Sequence, residues 1–425
     1  MTPPVSITSP PVWIAIDIAK GQHQVLIEWA ERQRTVLRVP NNRPEIDRLI
    51  ARLHEAGRRC VIAFEPTGDY HRPIAYWLGQ AGFQLHQVSS LAVARTREAL
   101  FNSWDKNDPK DAQVILHLLK TGATQRFVDP MAHGYVDLQE LANTYQQVSL
   151  RKVRVYHSIV THHLPLFFPE AEPYLHTSRA NWFPEVLRLT PCPAAVRQYS
   201  KAAFIVAALE TVGGQKRDKR RWLADFYDMA QTSAGLPVAA DSEAMQLFRV
   251  VLEEYQHLCA LRKRLEAEVV ERLGAHPDFV RLQTLPGVGP ILAMLILAEA
   301  RDLRRFGHVR QFLKYCGFDL CTEQSGQFRG STHLSKRGNA RLRYAFWMAG
   351  TVAIRMTENS FRRKFEDYIR PDPKNADRRR KAYSAVAAKV ARVAYALITT
   401  GTDYRRFPET ARPSGRIPSP RAVEA

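Results

Sequence analysis

Val12–Lys20 reads VWIAIDIAK. Val12 to Ile18 is a short apolar run of strand length, suited to a strand buried on both faces, and its one interruption is the carboxylate of Asp17. Outward from it, Gln24–Trp29 and Arg34–Val39 read as two more strands, the latter alternating, so a three-strand meander is predicted. A helix starts at Asn42, carries Ile46, Leu49, Ile50 and Leu53 on one face, and stops at Gly57. Cys60–Phe64 (CVIAF) is a fourth strand. Ile74, Trp77 and Leu78 mark a helix closed by Gly82, and Phe83–Val88 is a fifth strand. Helices follow at about 91–100 and 109–121.

Three strands, helix, strand, helix, strand, helix is the order of the ribonuclease-H-like α/β fold, which assigns that architecture to residues 12–128. Residues 129–240 read as a helical linker or insertion. Leu138–Phe168 is helical, prolines break Phe168–Pro193, and Lys216–Arg221 (KRDKRR) is a basic run. Residues 241–275 have heptad character: Ala244, Val251, Leu258 and Leu265 share one position, and Phe248, Tyr255 and Val269 another, interrupted by Arg262. Either a coiled-coil arm for self-association or an amphipathic helix in a bundle satisfies this pattern. Residues 276–400 read as a compact basic helical domain, and 401–425 as a disordered tail rich in Pro, Ser and Arg towards its end.

The chain of 425 residues carries a formal charge of +19 and a pI of about 9.9. Residues 301–400 alone hold 22 Lys/Arg against 8 Asp/Glu, so most of the excess sits in less than a quarter of the chain. A solvated surface would spread it; concentration of this kind is the footprint of a polyanionic partner, nucleic acid above all. The most apolar window, Ile291–Ala298, is too short for a bilayer, and the N-terminus lacks the basic-then-apolar order of a signal peptide. Five scattered cysteines make no disulfide framework, and Cys316 and Cys321 lack the second pair a zinc site needs. His157, His162 and His163 have no partner at metal spacing, and no Walker A loop occurs. A soluble intracellular protein without a membrane partner is expected.

Four carboxylates stand where an α/β sheet could gather them: Asp17 inside the first strand, Glu65 at the end of the fourth, and Asp108 and Asp111 in KNDPKDA. A carboxylate in an apolar strand is costly unless it is paired or holds a cation, and residues three apart share a helix face. Hard divalent cations such as Mg²⁺ prefer such oxygen ligands, and two ions could stabilise attack and departure at a phosphodiester. Asp108-Pro109-x-Asp111 is equally a helix N-cap with proline at the first helical position, and one set of residues can serve both ends.

Leu285–Ala300 (LPGVGPILAMLILAEA) places Gly287 and Gly289 in a tight turn between helices, where amides could approach a phosphate as in a helix-hairpin-helix unit. A plain packed turn is the alternative. Ser325–Arg343 (SGQFRGSTHLSKRGNARLR) joins three serines to Arg329, Lys336, Arg337, Arg341 and Arg343. It reads either as a phosphate-holding loop or as the seat of a nucleophilic serine.

Taken together, IDIAK, EPTGDYHRPIAYWL, KNDPKDA, LPGVGPILA and the SG…RG…LSKRGNARLR run resemble the DEDD insertion-sequence transposases of the IS110 family, relatives of the pilin-gene invertases. The resemblance covers the first 120 residues and about 285–345; residues 160–240 match none of its motifs. It implies a Holliday-junction-resolvase-like (RuvC-like) domain using Asp17, Glu65, Asp108 and Asp111 with Mg²⁺. It also implies a C-terminal transposase domain with a nucleophilic serine, best matched by Ser325. It further implies a structured non-coding bridge RNA that pairs with donor and target DNA, and a homo-oligomer, dimer or tetramer, acting on the bacterial nucleoid in the cytoplasm. Two other readings remain. One is a metal-dependent structure-specific nuclease or junction resolvase in which Ser325 only touches phosphate. The other is a nucleic-acid-binding scaffold without chemistry, against which Asp17 argues.

Overall fold

A computed structural model of the chain describes residues 10–405, apart from 30, 102–107, 130, 132–135, 176–181, 214–216, 323, 326–327 and 358. It contains two compact units, Met1–Val136 and Asp137–Ala425. Beyond residue 405 the tail expected at 401–425 lies outside the described residues.

The first unit runs β1 (Val12–Asp17), β2 (Gln22–Glu28), β3 (Arg34–Pro40), α1 (Arg43–Glu55), β4 (Cys60–Phe64), α2 (His71–Gln80), β5 (Gln84–Gln87), α3 (Ser90–Phe101), α4 (Asp108–Lys120) and β6 (Gln125–Arg126). Its sheet has the order β3-β2-β1-β4-β5-β6. β1, β2 and β3 form the antiparallel meander, β1, β4 and β5 run parallel, and β6 closes the edge antiparallel to β5. This is the ribonuclease-H-like order read from the sequence, with one short edge strand added.

Alternation along β1 and β4 assigns the two faces. Ile14, Ile16, Ile62 and Phe64 pack with Ile46 and Leu49 of α1 and Ile74 and Leu78 of α2. Ala15, Val61 and Ala63 point the other way, towards Val93 of α3 and Ala112 and Ile115 of α4. The small Ala15 and Ala63 let α4 lie close over the sheet centre. The far end of α4 is tied down by Glu28, which accepts from Lys120 Nζ (2.5 Å) and Arg34 Nε (3.0 Å). Burial alone would raise the Glu28 pKa; the two cations overcome it and hold the carboxyl below its ordinary value.

In the second unit, α5 (Val136–Ser158) continues through a π-helical turn, Ile159–His163, into α6 (Leu164–Phe167). Four short helices follow: α7 (Phe183–Leu189), α8 (Pro193–Arg197), α9 (Lys201–Val212) and α10 (Arg217–Gln231). The long α11 (Glu243–Leu273) then returns antiparallel to α5. Tyr145 Oη donates to Glu266 Oε1 (3.1 Å), Tyr156 lies 6.0 Å from Tyr255, and His163 stacks on Phe248 at 4.7 Å. The heptad pattern of 241–275 is therefore satisfied inside the chain. Met245, Phe248, Leu252 and Tyr255 of α11 enter a core with Phe168, Phe183, Phe204 and Phe226, while Leu258, Leu265 and Val269 enter the core of the C-terminal helices. The bundle reading describes these contacts.

The C-terminal part runs α12 (Pro277–Gln283), α13 (Pro290–Ala300), α14 (Val309–Tyr315), β7 (Leu320–Cys321), β8 (Gln324–Ser325), β9 (Phe328–Arg329), β10 (His333–Leu334), α15 (Ala340–Ala353), α16 (Ser360–Ile369) and α17 (Ala376–Thr400). α17 is its axis, burying Val386, Ala387, Val390 and Ala391. Gly350 of α15 brings the two backbones together: a Cβ there would sit 3.3 Å from Val386.

Candidate active site and nucleic-acid interface

Asp17 is the last residue of β1, half-buried at the carboxyl end of the strand rather than within it. β1 and β4 pair in parallel with Ile16 opposite Phe64, so the next positions in the same register are Asp17 and Glu65. Both extend the Ala15/Ala63 face, the one α4 covers. Asp111 lies in the first turn of α4 and is buried to 2 % exposure. Lys120, nine residues on, meets Glu28, which pairs with Trp13 at the other end of β1. Nine helical residues rise ~13 Å and the four strand steps from Trp13 to Asp17 about the same, so Asp111 would come level with Asp17 where α4 runs along β1.

Arg97 of α3 occupies the Asp111 carboxylate, Nε to Oδ1 at 2.5 Å, itself only 13 % exposed. Asp108 opens α4, and its side chain lies outside the described residues. Among the described residues no group of three His, Cys, Asp or Glu side chains is assembled to hold a metal. The donor chemistry nevertheless fits a hard divalent cation. Asp17 and Glu65 extend one face of the sheet at the carboxyl ends of β1 and β4, and the counter-charge that the buried Asp111 needs is supplied by Arg97.

Ser325 stands at the end of a β-arm. β7 pairs with β10 (Leu320 opposite Leu334, Cys321 opposite His333), and further out β8 pairs with β9 (Gln324 opposite Arg329, Ser325 opposite Phe328). Between the two ladders, two residues (322–323) face three (330–332), so one extra residue is accommodated as a bulge. Ser325 is exposed, two residues from its pairing partner's strand, at the outermost described position of the ribbon. The arm's foot is fixed closely. Asn339 N donates to Tyr315 O (2.7 Å) and Ser335 N to Asp319 O (2.8 Å). Gly338 has φ +139° and sits where a Cβ would meet Tyr315 O at 2.5 Å.

The five basic residues of this segment divide. Lys336 and Arg337 are exposed at the foot, Lys336 with the left-handed φ of 53°. Arg343 is turned inward, with Nη1 donating to Lys336 O (3.1 Å) and Cys316 O (3.3 Å). Arg341 Nη1 donates to Asn143 Oδ1 (2.6 Å) and pairs with Glu299 (2.9 Å). Arg329 lies in β9, its side chain outside the described residues. Glu299, absent from the sequence reading, is the hub: it also accepts from Asn339 Nδ2 (2.6 Å) and its carbonyl from Tyr315 Oη (3.1 Å). As the one carboxylate in the apolar helix α13, it was open to the same logic that singled out Asp17.

Gly287 and Gly289 have different work. Gly287 has φ +84°, and a Cβ there would lie 2.2 Å from Ala349 O and 2.9 Å from Ala353 N, so its absent side chain lets the turn seat against α15. Gly289 precedes α13, is exposed, and has open space around it. Gly287→Ala is expected to destabilise the C-terminal helices by on the order of 3 kcal/mol or more, against at most about 1 kcal/mol for Gly289→Ala. Thermal unfolding followed by circular dichroism checks this; a Gly287→Ala protein melting like wild type would contradict the packing described.

The remaining candidates are quiet. His163 is half-buried against Phe248, its pKa lowered by that burial, while His157 and His162 are exposed. Cys316 is buried, which pushes its thiol pKa far up.

Comparison with known proteins adds the following. Residues 280–366 match the family described as "Transposase IS116/IS110/IS902 family", and residues 14–169 match the DEDD transposase family of IS110 type. "Insertion element IS110 uncharacterized 43.6 kDa protein" of Streptomyces coelicolor is 24% identical over 95% of this chain and 97% of its own length. "Probable family 20 transposase" of Pseudomonas aeruginosa is 29% identical over 81% of this chain and 86% of its own. Among solved structures, T. thermophilus RuvC in complex with Holliday junction substrate matches with 13% identity and a TM-score of 0.21, covering 28% of this chain and all of that one.

Proposed function

Because this chain belongs to the IS116/IS110/IS902 transposase family and is thus a DNA transposase of an insertion sequence, we propose that it exchanges DNA strands through Ser325 and a carboxylate cluster. The cluster is Asp17, Glu65, Asp108 and Asp111, holding a divalent cation, taken to be Mg²⁺. When bound, such a cation withdraws charge from the scissile phosphate and its leaving oxygen.

The chain's own residues do the rest. Ser325 Oγ attacks phosphorus and the bond from phosphorus to one deoxyribose oxygen breaks. That oxygen leaves as a hydroxyl, with the proton given up by the serine. One phosphodiester is exchanged for one phosphoserine ester, so a hydroxyl of another strand can reverse the step without an outside energy source. Lys336 and Arg337, exposed at the foot of the arm, are suited to hold flanking phosphates. Guidance by a structured bridge RNA and action as a homo-oligomer belong to the same proposal. Among the described residues no helix is long and apolar enough to cross a membrane.

The observation that supports this reading best is the parallel register of β1 and β4, which sets Asp17 beside Glu65 on the face covered by α4. The ribonuclease-H-like sheet also suits a hydrolytic nuclease or junction resolvase, in which Ser325 would only contact phosphate. Full-length protein incubated with nicked element-end DNA and Mg²⁺ separates the two. Denaturing gels should show a protease-sensitive DNA adduct together with rejoined product; cleaved strands without any adduct would favour the nuclease.

A further inference from the structure

The C-terminal helices carry an aromatic surface that the strand-exchange chemistry leaves unused. Tyr344 and Trp347 lie one turn apart on α15 and are 57 % and 41 % exposed. Trp347 is 6.3 Å from Tyr383 of α17, and Tyr383 is 4.9 Å from Phe365 of α16. Arg379 lies over Phe365 at 5.8 Å, and Arg378 Nη1 donates to the carbonyl of Tyr368, itself 37 % exposed. Trp347, Tyr383 and Phe365 make one run of rings, with Tyr344 one turn from Trp347, beside the exposed Arg379, Arg380 and Lys381, the last two sharing Asp377 as an exposed ion-pair partner.

A partly exposed Trp and Tyr in the most basic stretch of the chain need a ligand that is both flat and anionic. A second copy of this chain is disfavoured, because the region carries 22 Lys/Arg against 8 Asp/Glu and would face like charge. A duplex buries the faces of its bases, so it offers the cations its phosphates but offers the rings nothing. An unpaired strand offers both: successive bases stack on rings while the phosphates follow the cations.

We propose that Tyr344 and Trp347, with the flanking Arg379, Arg380 and Lys381, form a stacking platform for single-stranded DNA. Resting on the transposase reading, its occupant is a strand left unpaired beside the break. The platform stacks bases without sequence preference, since every base has a face to stack.

The test compares full-length wild type with the Tyr344→Ala/Trp347→Ala double variant on three probes: a dT 12-mer, an abasic 12-mer of equal charge, and a 12-base-pair duplex. Affinity for the dT strand should fall about tenfold or more, since each base–ring stack lost is worth roughly that much. Abasic and duplex affinities and all salt slopes should stay unchanged, because no charge is removed. Tyr344→Phe/Trp347→Phe should recover most of the loss, which rules out a folding defect. Equal loss on dT and abasic strands overturns the proposal, as does no loss at all. A larger loss on an rU 12-mer than on dT would assign the platform to RNA instead and overturn it as stated. A changed sedimentation state in the alanine variant would make this surface a subunit contact, with the same consequence. None of these readouts needs strand breakage, so a missing serine adduct would refute the chemistry above while leaving this result intact.

Discussion

Ser325→Ala is expected to lower strand exchange at least about a thousandfold and to abolish the covalent protein–DNA species. Ser325 is exposed at the end of β8, and among the described residues no hydrogen bond engages its hydroxyl. The substitution therefore removes one oxygen from the arm and nothing from the core. DNA affinity should stay within about twofold, because neutral Ser contributes no counter-ion release and Lys336 and Arg337 remain. The neighbouring serines supply the control. Ser335 is half-buried, its Oγ accepts from Arg337 N (3.4 Å), and its amide bonds Asp319 O at the foot of the arm. Its backbone holds the foot of the arm. Ser331 is exposed on the returning side of the bulge. An adduct that persists in Ser325→Ala and disappears in Ser335→Ala or Ser331→Ala would move the role to that residue.

The second large effect is expected from Asp17→Asn, which should also reduce strand exchange by about a thousandfold or more. It replaces an anionic oxygen ligand by a neutral one of the same size. Because Asp17 is half-buried at the end of β1, the sheet should tolerate the change, and thermal unfolding should confirm an intact fold. Chelation of divalent ions should reproduce the loss in wild type. Asp111→Asn is a less clean probe. It leaves the Arg97 guanidinium, 13 % exposed, without its charge partner, so instability of about 3 kcal/mol is expected alongside inactivity. Normal strand exchange by a folded Asp17→Asn protein would remove the cluster from the mechanism.

The first unit was legible because two periodicities coincide there. Apolar runs in VWIAIDIAK and CVIAF mark strands buried on both faces, and the helices before and after CVIAF stop at Gly57 and Gly82, both of which adopt positive φ. β6, two residues long, has no pattern to read. The heptads of 241–275 were legible as a seam but not as to partner: a sequence states that a face is apolar and cannot state that α5 of the same chain covers it. Among the site residues, the spacing of Asp17 and Glu65 became geometry only through the strand register. The basic run misled in part for a physical reason. Guanidinium groups serve buried carbonyls and carboxylates as readily as phosphates, and Arg341 and Arg343 were taken by Glu299, Lys336 O and Cys316 O. Gly287 fits the packed-turn alternative: its missing Cβ is what α15 uses.

The two ladders of the arm constrain how this protein can change over generations. Side chains on a ribbon alternate sides, and the two-against-three step shifts that alternation on the returning strand, 328–333, while the strand of Ser325 keeps its own. Deleting one residue from 330–332 would restore a regular ladder and leave the serine on its side of the ribbon, because Ser325 lies on the opposite strand, four residues from Cys321. Insertions or deletions of one matched pair, one residue on each strand, would reverse its side, while two matched pairs keep it and alter reach by roughly 7 Å. Length changes that keep the Ser325 hydroxyl on its side of the ribbon are therefore quantised in steps of two matched pairs.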